Sequence, residues 1–230
     1  MFWQEDEDKT LPYDIPDEII DISFNIICKQ LPLDHAWELR EQLHQVLPWL
    51  KENKLAGIHQ LFVADSNNGW MRPEDGENEV LYPSRRTRLY LRIPNEYIEE
   101  TEKKLAGKTL TIAKQPLKLG KPKQKALVNS SIIFSRHLIS DKNEAEDDFL
   151  RRYAAEYKHI TGEVITKMMS GKTHIIKTPK GELHTRHLMI ADLNTDASIK
   201  IQQFGLGEER QLGCGIFLPH KGIKSLTADE

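Results

Sequence analysis

Twice along this chain the hydrophobic periods run in the same succession, strand, helix, strand, strand, helix, strand, and that repetition restricts the fold more tightly than anything else in the sequence. In the first half Ile20, Ile22, Phe24, Ile26 and Cys28 alternate, over most of their length, with Asp21, Ser23, Asn25 and Lys29. A period of two predicts a strand with one buried face. Leu31-Pro-Leu breaks it, and Asp34 stands as the N-cap of a helix in which Ala36, Leu39, Leu43, Val46, Leu47 and Leu50 recur at helical spacing. Pro48 tightens the end of that helix. Residues 58–64 read as a second strand and 67–70 as a turn. Thr87, Leu89, Leu91 and Ile93, alternating with Arg88, Tyr90 and Arg92, read as a third strand closed by Pro94. A helix over 95–106, stopped by Gly107, and a strand or hairpin over 110–119 complete the unit.

The second half repeats the architecture without repeating the sequence. Residues 127–138 are strand-like, and Phe149, Leu150, Tyr153, Tyr157 and Ile160 mark a helix over 144–160 closed by Gly162. Residues 163–168 and 173–177 read as a β-pair turning near Ser170-Gly171, and 188–193 as a further strand. A helix over 196–204 and a strand over 215–218 follow. The expected fold class is α+β, with two tandem ferredoxin-like βαββαβ units. The expected boundaries are an acidic N-terminal arm at 1–17, a first domain at 18–125 and a second at 126–230 that carries a glycine-rich loop at 205–215. RNA-recognition sheets use this topology, but topology alone does not decide function.

Composition narrows the class. The chain has 230 residues, 39% hydrophobic and 29% charged, enough to bury a core in one or two domains. Its apolar runs are too short to span a bilayer, and the acidic N-terminus is unlike a signal peptide, so a cytoplasmic protein with no membrane partner is expected. Cys28 and Cys214, the only cysteines, form no paired motif, which argues against a disulfide scaffold or zinc ribbon; both are expected reduced, Cys28 in the core. No cluster of acids and histidines has ligand spacing, and no metal or other cofactor is expected. The net charge of −3 hides segregation: acids crowd the first 21 residues, whereas 103–125 contains lysines and no acid. Arg85, Arg86, Arg88 and Arg92 precede that basic stretch. Local fields of this kind steer polyanions, although a lysine run is often only a solvated face.

Gly205, Gly207, Gly213 and Gly215 with Arg210 form a glycine-rich stretch that lets backbone N–H groups approach a ligand closely. A third glycine is missing where the dinucleotide fingerprint needs one, and no Gly-Lys-Ser/Thr occurs. A polynucleotide backbone therefore fits better than a nucleotide. A hairpin that only shapes a turn is the alternative.

Three stretches resemble a known family. They are Leu31-Pro-Leu-Asp-His35, the run from Ser84 to Arg92, and the run from Ile201 through the glycines to Lys221. Together with the doubled architecture, they resemble the CRISPR-associated repeat-processing endoribonucleases, the Cas six family of the RAMP superfamily, in its Myxococcus-type type I branch. The resemblance implies recognition of repeat RNA in a precursor CRISPR transcript and one metal-independent cut. The ribose 2′-OH attacks the adjacent phosphate and leaves a 2′,3′-cyclic phosphate. Continued attachment to the crRNA in a type I effector complex, with other Cas subunits as partners, is expected, and a non-cleaving crRNA-binding subunit is the alternative.

Such a cut needs a base, an acid and charge stabilisation at the phosphorane. Histidine serves either proton step near neutrality. The resemblance points to His35, His44 or His59. His35 is preferred, because a helix N-terminus keeps an imidazole neutral beside a phosphate site. At ~100° per residue, His35 and His44 lie on opposite faces of their helix. The second proton-transfer group is not identified, since Pro32 occupies the position where some relatives carry tyrosine. For RNA the expected contacts are Arg85, Arg86, Arg88, Arg92, Lys121, Lys123, Lys125, Gly205, Gly207, Arg210, Gly213 and Gly215. Trp70 is a possible stacking residue, and His184, His187 and His220 are further candidates. Arg88 and Arg92 as a plain solvent face remain the alternative.

Overall fold

In the computed structural model, which describes residues 16–63 and 80–220, the first half contains β1 (Ile19–Ile27), β2 (Leu31–Pro32), α1 (Ala36–Val46), β3 (Gly57–Ile58) and β4 (Val80–Leu81). It continues through β5 (Arg88–Pro94), α2 (Ile98–Leu105), β6 (Thr109–Ile112) and β7 (Gln115–Lys125). The second half holds β8 (Ile132–Ile139), α3 (Glu146–Thr161), β9 (Lys167–Thr178), β10 (Gly181–Ala191), α4 (Thr195–Phe204) and β11 (Leu218–Pro219). The fold is α+β. One sheet has the order β3-β5-β1-β7-β6 and the other β11-β8-β10-β9, while β2 and β4 make a short ribbon. All of these pairings are antiparallel. Residues 1–15, which make up most of the acidic arm, and the turn at 67–70 with Trp70 lie outside the described residues.

The alternation in β1 does what its period requires. Ile20, Ile22, Phe24 and Ile26 face Leu39 and Leu43 of α1 and Ile98 and Leu105 of α2 in one core. Burying a side chain of this size stabilises by about 1.5–3 kcal/mol. The second core sets Phe149, Tyr153 and Tyr157, one turn apart on α3, and Ile201 of α4 against Ile133, Leu188 and Ile190. Gly162 ends α3 at φ +81, as its position predicts. A third cluster of Ala36, Ile176, Leu212 and Cys214 brings the start of α1, strand β9 and the glycine-rich segment together, and so joins the halves.

Several elements depart from the sequence reading. Asp34 does not cap α1: His35 holds the N-cap position without a side-chain bond to the first turn, and Asp34 Oδ2 instead accepts from Lys177 N at 2.9 Å. Because β9 is an edge strand, its outer amides face away from β10, and the one at Lys177 draws the carboxylate away from the helix. The expected turn at Ser170-Gly171 is absent, and β9 runs straight through it to pair with β10. Gly171 serves a close approach instead, since a Cβ there would meet His187 Cβ at 3.1 Å beside a register shift in β10. The strand expected over 58–64 stops at Ile58: His59 N still donates to Tyr90 O, but Leu61 N then donates to His35 Nε2 and the Gln60 side chain donates through Nε2 to Leu212 O, which turns the chain away from β5. The strand expected over 127–138 begins only at Ile132. Likewise, the one expected over 215–218 shrinks to Leu218–Pro219.

Candidate functional site

Cross-strand register decides which polar residues share the face of the first sheet opposite its core. Asn25 pairs with Arg88, Ser23 with Tyr90 and Asp21 with Arg92 on one side of β1. On the other side Ser23 pairs with Lys123 and Asp21 with Lys125. Lys121, Lys123 and Lys125 are exposed, as are Arg85 and Arg86 in the approach to β5, and Arg88 is half-buried. Arg88, Lys123 and Lys125 thus share one face with Tyr90 and Asn25, and Arg85, Arg86 and Lys121 add exposed charge in the flanking chain, an arrangement suited to a polyanion.

Arg92 stands apart from them. Although it continues the same alternation, only 1% of it is exposed. Its Nε and Nη2 donate to Asp21 Oδ1 and Oδ2 at 2.8 and 2.9 Å, and Nη1 donates to Gln202 O and Phe217 O, both at 2.8 Å. Burial pushes the Asp21 carboxyl up, but the adjoining Arg92 charge, with His59, outweighs that and holds it far below the usual carboxylate range. Arg210 is also turned inward: Nη2 donates to Leu55 O and Gln203 O, and Nη1 lies 3.5 Å from Gly215 O. Burial and the nearby Arg92 push its pKa down to about 9. The expectation that Arg92 and Arg210 meet RNA is therefore corrected. Both are spent on tying the two halves together, because the second half covers this end of the polar face.

The glycine-rich segment is likewise turned inward. Gly205, Gly207, Gly213 and Gly215 all have positive φ, and a Cβ on Gly215 would overlap Leu206 O. The close neighbour that demands glycine is thus the protein's own backbone. Gly205 N donates to Ile201 O, Gly213 N to Arg210 O and Gly215 N to His137 O. Gly207 N donates to Glu156 Oε1 at 2.7 Å. None of these four N–H groups is left for a phosphate, which corrects the expected backbone clamp.

The three expected histidines differ sharply. His35, only 1% exposed, has Nδ1 3.0 Å from both Pro32 O and Leu33 O, while Nε2 accepts from Leu61 N at 2.9 Å. Both ring nitrogens serve the backbone, and the ring is held as the Nδ1–H tautomer. This geometry corrects the preference for His35 as a base, since it offers no lone pair. His59, its side chain 10% exposed, has Nε2 3.5 Å from Asp21 Oδ1 and its ring tilted against Tyr90. Burial lowers its pKa, although Asp21 partly opposes the shift. His44, in the last turn of α1, has Nε2 2.6 Å from Gln211 Oε1. Gln211 Nε2 donates to Leu50 O and Asn53 O, so its oxygen must face the imidazole, and His44 Nε2 carries the proton. Nδ1 keeps the lone pair, with Glu41 Oε1 4.0 Å away. Burial lowers the His44 pKa; the Gln211 bond and Glu41 raise it, and the charges of Arg40 and Lys51 lower it further.

His187 lies in a group the sequence did not reveal: its Nε2 is 3.1 Å from His174 Nε2, with the His137 ring 5.4 Å from that of His174. His184 lies 3.9 Å from Glu182, and His220 packs edge-on to Phe134. Among the described residues, no group of three or more histidines, cysteines or acids is arranged to hold a metal ion, and no helix is long and apolar enough to cross a membrane. Asp21 was legible in principle, as an acid facing Arg92 across paired strands. Gln211 carries no sequence signal, because its partners lie more than a hundred residues away.

The chain is 29% identical over 200 residues to the CRISPR-associated endonuclease Cas6 of Myxococcus xanthus, across 87% of this chain and 81% of that one. A solved structure described as a Cas6-related gene from Pyrococcus furiosus is similar with a TM-score of 0.58 at 14% identity, covering 90% of this chain and 99% of that one. A RAMP protein described as binding different RNA substrates gives 0.57 at 13% identity, covering 86% and 98%. The sequence model of the family described as Cas6 Crispr matches residues 20–222. That match runs from the second residue of β1 through β11, with both cores and every histidine discussed above, and the chain belongs to the Cas6 family.

Proposed function

We propose that this protein is a CRISPR repeat-processing endoribonuclease that cuts its RNA once, without a metal, by attack of a ribose 2′-OH. Family membership and the Myxococcus xanthus relative, named an endonuclease, support the reaction class. In this reading the two halves, 18–125 and 126–230, are ferredoxin-like units, consistent with their sheet orders. Arg85, Arg86, Arg88, Lys121, Lys123 and Lys125 take the RNA backbone. Arginine at three of these positions supplies paired donors for phosphate oxygens. The protein then stays on its crRNA and meets other Cas subunits in the cytoplasm.

The observation that carries the reading is the state of His44. Of the three candidates it combines a tautomer fixed by Gln211 with an Nδ1 lone pair that has no hydrogen-bond partner among the described residues. Its lowered pKa keeps the imidazole neutral at pH 7, as a base requires. Nδ1 takes the 2′ proton, and Lys51, close enough for its charge to act on the ring, stabilises the phosphorane. General-base assistance contributes typically 10²–10⁴-fold.

The test is single-turnover cleavage of an RNA carrying one repeat of the source genome's CRISPR array, in EDTA, by His44→Ala, His35→Ala and His59→Ala. His44→Ala should lose roughly 100-fold or more in rate while binding the RNA as before. His35→Ala should lower thermal stability with a smaller effect on rate. Wild-type cleavage by His44→Ala removes the assignment, as does an equal loss in a well-folded His35→Ala.

A further inference from the structure

The glycine-rich segment gives up its N–H groups to the protein interior and yet delivers one side chain to the histidine on α1. Glu209, at φ +58, and Gly213, at φ +84, bracket the 3-10 turn Arg210–Leu212, which makes it short and tightly wound. Its neighbours are pinned: Arg210 Nη2 donates to Leu55 O at 3.1 Å, and Leu212 O accepts from Gln60 Nε2 at 2.9 Å. Between them Gln211 spans from the second half to the first. Its Nε2 is anchored on Leu50 O and Asn53 O, in the segment that follows α1, and its Oε1 meets His44 Nε2.

We infer that Gln211 is a positioning residue for the cut, one that holds His44 as the Nε2–H tautomer with Nδ1 free to accept a proton, and does so only when the two halves are docked. The inference rests on the reading of His44 as the base. An amide with both ends committed cannot rotate to present its NH₂ to the ring, so the tautomer is fixed by carbonyls of the first half acting through a side chain of the second. The wrong tautomer puts the proton on Nδ1 and leaves no base, which in other histidine-dependent hydrolases costs about 10⁴-fold. The groups facing His44 are Arg40 and Glu41 on α1, Lys51 just beyond it, and Gln211. Gln211 is the only one of these four in hydrogen-bond contact with the ring.

The experiment compares Gln211→Leu and Gln211→Glu with wild type and His44→Ala, all as full chains. It measures single-turnover cleavage of the one-repeat RNA against pH, affinity for the same RNA with a 2′-deoxy scissile nucleotide, and melting temperature. Gln211→Leu should lose roughly 10- to 100-fold in rate at unchanged affinity. Gln211→Glu keeps an acceptor and adds a negative charge, which raises the His44 pKa. The acid limb of its pH–rate profile should therefore move to higher pH, with the rate recovering above it. Should Gln211→Leu melt early, ¹⁵N spectra of the His44 ring in wild type and in Gln211→Glu decide, with the Nε2–H tautomer expected in both. Wild-type rate and pH profile in folded Gln211→Leu, or an Nδ1–H ring in the wild type, overturns the inference even if His44→Ala is inactive. Wild-type cleavage by His44→Ala removes the base reading itself and the inference with it.

Discussion

Replacing Arg92 with methionine should cost this protein a large share of its stability, although the sequence places the residue on a polar sheet face beside RNA-binding candidates. The guanidinium makes a bidentate pair with Asp21 and two further bonds to Gln202 O and Phe217 O. Methionine fills a similar volume but leaves a carboxylate buried at 6% exposure, with His59 3.5 Å away as its nearest remaining charge partner. Removing one member of a buried pair costs about 3–5 kcal/mol. Two carbonyls that lose their donor add about 1 kcal/mol each. The total of about 5–7 kcal/mol compares with a net stability of about 5–15 kcal/mol for a typical domain. For a chain of this size it should lower Tm by roughly 10–25 °C. Urea unfolding measures it directly, with Arg88→Met, on the solvent-facing end of the same strand, as a control expected within ~0.5 kcal/mol of wild type. Adding Asp21→Leu to Arg92→Met should recover much of the loss, because the orphaned charge goes with it. If Arg92→Met lies within about 1 kcal/mol of wild type, the buried network does not hold the halves together and the reasoning fails.

The same pair makes stability depend on acid. With its folded pKa depressed, Asp21 contributes stability that is fully present above the unfolded value of ~3.9 and is lost as pH falls below it toward the folded pKa, so unfolding free energy should drop below about pH 4 and less steeply in Asp21→Asn. On the exposed end of the face, Arg88→Ala and Lys123→Ala should each weaken RNA binding and reduce the slope of log K against log salt by about 0.7–1, read from binding at several salt concentrations. An unchanged slope in both places the RNA elsewhere.

The sequence made periods and breaks legible, and much of the secondary structure follows from them. The alternation in β1, the turn-spaced aromatics of α3 and the stop at Gly162 all sit where their periodicity predicts. What it could not reveal is which part of a polar face another segment later covers. Arg88 and Arg92 are equivalent by alternation, yet one is half-exposed and the other lies under Gln202 and Phe217. The glycines called for close backbone approach, which is present, but the approaching group is Leu206 O rather than a phosphate. His35 looked like a poised base because the helix start was visible, whereas Leu61 N, which occupies its second nitrogen, arrives from a loop whose path is set by tertiary packing.

Internal 2′-OH attack leaves product ends that no other cleavage chemistry leaves. The direct measurement is the mass of both product ends after incubation of purified protein with its one-repeat RNA in EDTA, beside the same RNA carrying a 2′-deoxy residue at the scissile position. The predicted result is a single cut leaving a 2′,3′-cyclic phosphate and a 5′-OH, abolished by the deoxy substitution. A 3′-OH with a 5′-phosphate, cleavage of the deoxy RNA, or tight salt-dependent binding with no cut would contradict it.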